Sequence, residues 1–213
     1  MASSAVEEYL QAIYTLADEN GRVVSARLAE FLGFSAPAVS EMVHRLERDG
    51  LVTLDYHKEV HLTKTGKAQA DSIVRRHRLA ERFLLEVLGF AWWKTHEEAE
   101  RLEHAMSAEM EARMVRVLGD PQTCPHGNPM PGVTPLPTRP LEKLRPGERA
   151  RVERIPDQFE HEPGFLEYLD SQGVMPGVTL ELIESGPTLL RVGIDGSERS
   201  LRPDCGQKVW MAV

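Results

Sequence analysis

Cysteine is scarce in this chain. Its 213 residues include two, Cys124 and Cys205, too distant from each other to form a disulfide framework or a Cys-x-x-Cys pair. A disulfide-stapled secreted scaffold is thereby excluded, and a reducing, cytoplasmic setting is expected. No apolar run approaches the roughly 20 residues that a membrane-crossing helix needs, so no membrane partner is expected. The opening MASSAVEEYL carries acids where a secretion signal would carry basic residues. Positive charge is also short: 25 Lys and Arg stand against 33 Asp and Glu, a formal net charge of −8. Such a balance speaks at first against nucleic acid as a partner. HExxH, a nucleophile elbow, a Walker loop and GxGxxG are all missing, which removes the common enzyme signatures.

What is present is unevenly distributed. Residues 22–67 hold seven Lys or Arg against six acids, with His44, His57 and His61 besides, so the acidity lies elsewhere. Apolar periodicity over 4–18 (Val6, Leu10, Ile13, Tyr14, Ala17) predicts a helix that DENG at 18–21 stops. A short helix capped by Ser25 runs to Leu32 and ends at Gly33. Ser35 caps another over 36–48, with Val39, Met42, Val43 and Leu46 facing inward. Two short strands, LVTLD (51–55) and EVHLT (59–63), flank a polar tip of Tyr56, His57 and Lys58. Helix, helix, tight turn, helix and hairpin is the order of a winged helix-turn-helix. The bland alternative is a small helical bundle with a solvated hairpin.

A long helix is expected from Thr65 to about Leu88, and a second, capped by Thr95, from there to about Leu118. Residues 121–147 are rich in proline and read as a linker, partly polyproline II; its prolines at 129–140 could also serve as a ligand for a groove of their own chain. From Glu148 onward short β-like segments (ARVERI, VTLELIE, LLRVGID, KVWMAV) and one helical stretch, GFLEYLD, predict a five-stranded SH3-like barrel. The expected fold class is α+β, with four segments: a winged helix-turn-helix at 1–64, a helical region at 65–120, the linker at 121–147 and the SH3-like domain at 148–213.

Chemistry gathers on the two middle helices. Helical spacing assigns Ile73, His77, Ala80, Leu84 and Leu88 to a buried stripe, with Glu81 one turn from His77. His96, Glu100, Glu103, His104 and Ser107 form a polar stripe beside Ala99, Leu102, Met106 and Met110, and the first helix adds Glu8 and Gln11. Burying a carboxylate costs several kcal/mol unless cations or donors meet it. A divalent cation suits such a set. A network of His–Glu and Arg–Glu pairs is the alternative, and spacing leaves both open.

The runs RHRLAER, THEEAERLEHAMS and GNPMPG, with SARLAEFLGFSAPAVSEMVHRLERDGLV ahead of them, resemble the diphtheria-toxin-repressor family of metal-dependent transcriptional repressors. The match runs in order along nearly the whole chain, specific through residue 132 and loose beyond. The resemblance implies a repressor, not an enzyme, that binds double-stranded operator DNA as a homodimer, with two dimers per operator an option. It implies two metal sites. An ancillary one would use His77, Glu81 and His96, with help from the barrel near His161 and Gly164, where Glu160, His161 or Glu162 could substitute. A primary one would use Glu8, Glu100, Glu103 and His104. Iron-responsive members carry Met and Cys at the positions of Glu8 and Glu100; carboxylates there point to the manganese-responsive branch, because hard oxygen suits Mn2+. Fe2+ is the runner-up, and Co2+, Ni2+ or Zn2+ could bind in vitro. Arg78, Cys124 and Asn128 fall at the family's anion site. By the same resemblance Ser35, Pro37 and Ser40 fall at DNA-contacting positions, and the charged or wing-tip residues Arg27, Arg45, Arg48, His57 and Lys58 are candidate phosphate contacts. His44 is expected to be solvated and His126 structural or idle, with Trp92 and Trp93 core or dimer-interface aromatics. Two competing classes remain: a helical di-metal oxidoreductase and a constitutive architectural DNA binder.

Overall fold

The structure is a computed structural model that describes residues 3–18 and 21–213. It divides into two compact units, Met1–Arg76 and His77–Val213.

In the first unit α1 (Ser4–Asp18), α2 (Ser25–Leu32) and α3 (Ala36–Arg48) pack their apolar faces on one core of Val6, Leu10, Ile13, Leu28, Val39, Val43 and Leu46. Gly33 ends α2 at φ 68°, in the left-handed region that lets the chain reverse at once. Ser35 then caps α3, accepting a hydrogen bond from the Ala38 amide at 3.4 Å. Strands β1 (Val52–Leu54) and β2 (Val60–Leu62) form the antiparallel wing, and the Val60 amide donates to the Val23 carbonyl, fastening the wing to the helices. The expected stop at DENG falls partly on residues 19 and 20, outside the described residues. The long helix α4 (Lys64–Glu86) starts where Thr63 Oγ1 accepts from the Gly66 amide.

The second unit departs from expectation in three places. The single helix foreseen from Thr95 to Leu118 is two, α5 (Thr95–Glu103) and α6 (Ala108–Leu118). Ser107 causes the break: its side chain caps α6 by accepting from the Met110 amide at 3.2 Å, and a capping serine favours a new start over continuation. Leu88 lies beyond the end of α4 and is exposed rather than in the buried stripe. The C-terminal region is a six-stranded antiparallel sheet, not five-stranded, because β3 (Thr138–Pro140) emerges from the proline-rich stretch and pairs with β8 (Trp210–Ala212). The order is β3-β8-β4-β5-β6-β7, with β4 Arg149–Arg154, β5 Thr179–Ser185, β6 Leu190–Ile194 and β7 Ser197–Leu201. Two short helices, α7 (Asp157–Glu160) and α8 (Phe165–Gln172), follow β4, and α9 (Cys205–Lys208) precedes β8. The sheet core includes Val152, Leu180, Val192 and Met211, and Trp92 joins it as a core aromatic.

Candidate metal centre

Five side chains of the second unit converge where the chain is driest. His77 and Glu81 stand one turn apart on α4, His96 on α5, and Glu160 ends α7. His126 comes from the loop between α6 and β3, within the stretch whose prolines suggest a linker. His77 Nε2 lies 3.2 Å from Glu81 Oε1 and 3.1 Å from His96 Nδ1. His96 Nδ1 lies 3.3 Å from Glu81 Oε1 and 3.0 Å from Glu160 Oε2. His126 Nδ1 is 3.1 Å from Glu81 Oε1 and 3.3 Å from Glu160 Oε2. All five side chains are at most 6% exposed.

These separations suit a shared cation. Ligand atoms at about 2.0–2.2 Å from one ion, in a tetrahedral or octahedral shell, stand about 3.0–3.4 Å apart. Hydrogen bonding accounts for the cluster less well. Glu81 Oε2 and both ring nitrogens of His126 are buried and make no hydrogen bond, although His126 Nδ1 is within ion-pair reach of two carboxylates. Buried polar atoms are rarely left so. The donor atoms of His77, Glu81, His96 and Glu160 all lie within 4.8 Å of one another, and these two imidazoles and two carboxylates fit a divalent first-row ion. Glu81, Cys124 and His126 form a second, overlapping group that shares Glu81 with the first.

The surroundings hold these donors in place. His77 Nδ1 faces Glu103 Oε2 at 2.5 Å; a carboxylate only accepts, so Nδ1 carries the proton and Nε2 is left for the cage. Glu160 is aimed by Asn128, whose Nδ2 donates to Glu160 Oε1 at 2.6 Å and to the Ile155 carbonyl at 2.7 Å. The loop backs onto β4: the Ile155 amide donates to the His126 carbonyl, and Gly127 sits at φ 90° where a Cβ would overlap the Glu153 carbonyl oxygen. Trp92 closes the far side, its ring 4.8 Å from that of His126 and its Nε1 donating to the Pro125 carbonyl.

Charge balance explains the protonation. Burial alone would lower the histidines, but Glu81 and Glu103 hold His77 well above its ordinary range, and Glu160 and Glu81 do the same for His126. Against the same burial penalty, Glu160 and Glu81 lift His96 to about 9. Burial would raise the carboxylates, yet His126 and His77 hold Glu81 well below the usual range, and His126 leads in bringing Glu160 to about 2. Burial, with Glu81, pushes the Cys124 thiol up to about 11. The cage without an ion is thus an array of imidazolium and carboxylate, and a cation entering it must displace protons.

The expected ligands divide. His77 and Glu81 lie one turn apart, as their spacing on one helix suggests, and His96 reaches them from α5. Among the barrel residues, Glu160 enters the cage, while His161 stands outside it with Glu100: His161 Nδ1 is 3.3 Å from Glu100 Oε1. Glu103 turns toward His77, with its other oxygen 3.5 Å from His104 Nε2. Glu8 belongs to the first unit. His126, expected to be structural or idle, is fully buried beside two carboxylates; the Cys124-x-His126 spacing ahead of Gly127 is the signal for it. At the expected anion seat the chain supplies its own carboxylates: Arg78 pairs with Asp157 at 2.5 Å and also donates to the Pro129 carbonyl, while Asn128 holds Glu160.

In the first unit Ser35 and Pro37 are exposed at the start of α3, with Arg45 exposed and Ser40 half-buried farther along it. His44 is exposed as expected and lies 3.4 Å from Glu47. Arg27 on α2 is half-buried. Lys58 is exposed at the wing tip with φ 60°, in a turn that Asp55 Oδ1 stabilises by accepting from the amides of His57 and Glu59 at 2.8 Å each.

Three family models match the chain in succession: an iron dependent repressor N-terminal DNA binding domain over residues 1–62, an iron dependent repressor metal binding and dimerisation domain over 63–132, and a FeoA domain over 139–213. The iron-dependent repressor IdeR of Mycobacterium leprae is 36% identical over 199 residues, covering 86% of each chain. The diphtheria toxin repressor of Corynebacterium diphtheriae is 38% identical over 190 residues, covering 84% of each. Among solved structures, a manganese-dependent transcriptional repressor in complex with manganese superposes with a TM-score of 0.87 at 37% identity, over 97% of this chain and 99% of that one.

Proposed function

This chain belongs to the diphtheria-toxin-repressor family of metal-dependent transcriptional repressors, and on that footing we propose that Mn2+ is its signal and that the buried cage is where the second unit senses it. As a family member the chain is a DNA-binding regulator and a homodimer, not an enzyme. One observation carries the reading of the cage: donor atoms of His77, Glu81, His96 and Glu160 all lie within 4.8 Å of one another, and Glu81 Oε2 lacks a hydrogen bond. His77, Glu81, His96 and Glu160 would hold the ion, with His126 and Cys124 beside it around the shared Glu81. When bound, the ion supplies the charge that lets the imidazoles release their protons.

A second ion, on Glu8, Glu100, Glu103 and His104, is a reading that rests on the sequence resemblance. Ligands drawn from the DNA-binding part and from the dimerisation part would restrain the angle between them and so select the dimer shape that fits successive major grooves. Carboxylates at positions 8 and 100 favour Mn2+. Fe2+ is the alternative, favoured by the Cys124 thiol beside the cage; Co2+, Ni2+ and Zn2+ would also bind in vitro. An external anion at Arg78 and Asn128 would have to compete with Asp157 and Glu160.

The dimer face would be the apolar patch at the end of α4 and along α6, where Val87, Leu88, Met110 and Val117 are exposed. α3 would read the major groove through Ser35, Pro37 and Ser40, with Arg27, Arg45 and Lys58 on phosphates, and two dimers could share one operator. No helix among the described residues is long and apolar enough to cross a membrane; a regulator of DNA would work in the cytoplasm. The test is an anaerobic DNA-binding titration of the metal-stripped chain with Mn2+, Fe2+, Co2+ and Zn2+ in parallel, against a duplex selected from a randomised pool. Activation by Mn2+ at the lowest free concentration relative to cellular supply is expected; activation by none of the four would overturn the reading. Glu8→Ala should leave a folded dimer that binds that duplex weakly even at saturating Mn2+.

A further inference from the structure

His96 has two working edges. Its Nδ1 faces the cage, whereas its Nε2 lies 3.3 Å from His161 Nδ1 and 3.6 Å from Glu100 Oε1. His161 Nδ1 is in turn 3.3 Å from that same Glu100 oxygen. These three donors lie in a cleft of about 460 Å³ that Trp93 and Glu160 also line. Here the side chains of Glu100 and His161 are 45% and 31% exposed, unlike those of the cage.

We propose that His96 Nε2, Glu100 and His161 form a second, water-facing site for a divalent first-row transition ion, an antechamber from which the buried cage is filled. The proposal rests on reading the cage as a metal site. Two imidazoles and a carboxylate are a competent donor set for such an ion, with water completing the shell. A neutral imidazole offers one lone pair and one N–H in its ring plane. With Nδ1 committed to the cage, His96 carries its proton on Nε2 and donates to Glu100 or His161. With Nε2 committed outward, the proton sits on Nδ1 and is donated to Glu160 or Glu81. His96 therefore serves one ion at a time. Inward passage exchanges those states: a proton leaves Nδ1 and one returns to Nε2 from water in the cleft, with no net change. Few ligands and open water make the outer site weak and fast; four buried ligands make the inner one tight and slow.

The test is stopped-flow mixing of the metal-stripped full chain with Co2+, read by tryptophan quenching and by Co2+ visible absorption. The wild type should show a fast phase that scales with Co2+ concentration, then a slow one that does not. His161→Ala and, independently, His161→Gln should lose the fast phase and slow the filling of the tight site by roughly tenfold or more, with the tight stoichiometry kept. Glu81→Gln should keep the fast phase and lose the slow one. Wild-type biphasic loading in both His161→Ala and His161→Gln would overturn the antechamber. Survival of the slow, tight phase in Glu81→Gln would instead overturn the cage, so the two failures are told apart.

Discussion

Between Met1 and Arg76, Thr15 is the one polar side chain buried among the described residues, whereas from His77 onward ten polar or charged side chains are buried, His77, Glu81, His96, Glu103, His126 and Glu160 among them. The first unit is held by removal of apolar surface from water, worth roughly 25 cal/mol per Å² and nearly indifferent to pH or metal. Its Ser35, Arg45 and Lys58 side chains are left outside, where a phosphate backbone can meet them. The second unit instead encloses a set of charges that balance one another only while each keeps its partner and its proton. One unit is therefore built to be constant and the other to respond.

The largest expected effect that probes this contrast is that of Glu81→Gln. Removing one charge from the buried array should destabilise the second unit by about 3–5 kcal/mol. Tryptophan fluorescence is the readout, because Trp92, Trp93 and Trp210 all lie in that unit. Hydrogen exchange at α3 amides should change little; an equal loss of protection there would break the comparison. Next comes Asn128→Ala, which frees Glu160 from its hydrogen-bond partner and should weaken tight metal binding by roughly 10–100-fold, measured by competition with a chelating dye.

A smaller effect is expected from pH on the metal-stripped chain. His96 is held at about 9 against an ordinary 6.5, so its contribution is complete below about 6.5 and is lost as pH rises through about 9. Glu160, brought to about 2 from 4.5, contributes above about 4.5 and loses that as pH falls toward 2. With His77, His126, Glu81 and Glu103 facing the same cluster, stability of the second unit should be greatest between about 4.5 and 6.5 and decline toward pH 9. Bound metal should reverse the alkaline decline, since protons have already left. A thermal midpoint flat from pH 6.5 to 9 in the stripped chain would contradict this. The smallest effect is that of Lys58→Ala at the wing tip: the slope of log affinity against log salt should fall by about one for each phosphate left without its lysine, with metal affinity unchanged.

Legibility followed local order. Apolar periodicity and the pair Gly33 and Ser35 announced the helix-turn-helix, because each is a local backbone requirement that neighbours in sequence impose. His77 and Glu81 could be singled out because helical spacing put them on ground meant for the core, and His96 because it opens a polar stripe beside an apolar one. His126 and Glu160 could not, since they arrive from a loop and from a four-residue helix, where no period exists to be violated. The split between α5 and α6 was also obscured: Ser107 reads equally as a stripe residue or a cap until the Met110 amide is seen to bond it. β3 was hidden for a related reason. Thr138-Arg139-Pro140 has the composition of a linker, and pairing with β8 makes it a strand.

The bare backbone at Gly127, pressed against the carbonyl of Glu153, means that the segment bearing Cys124 and His126 leans on β4 as on a buttress. A shortened version of this chain ending before residue 148 would keep all of α4, α5 and α6 yet lose both Glu160 and the wall behind His126. Deafness to metal in such a truncated form would reflect a missing foundation, even with every helical ligand intact.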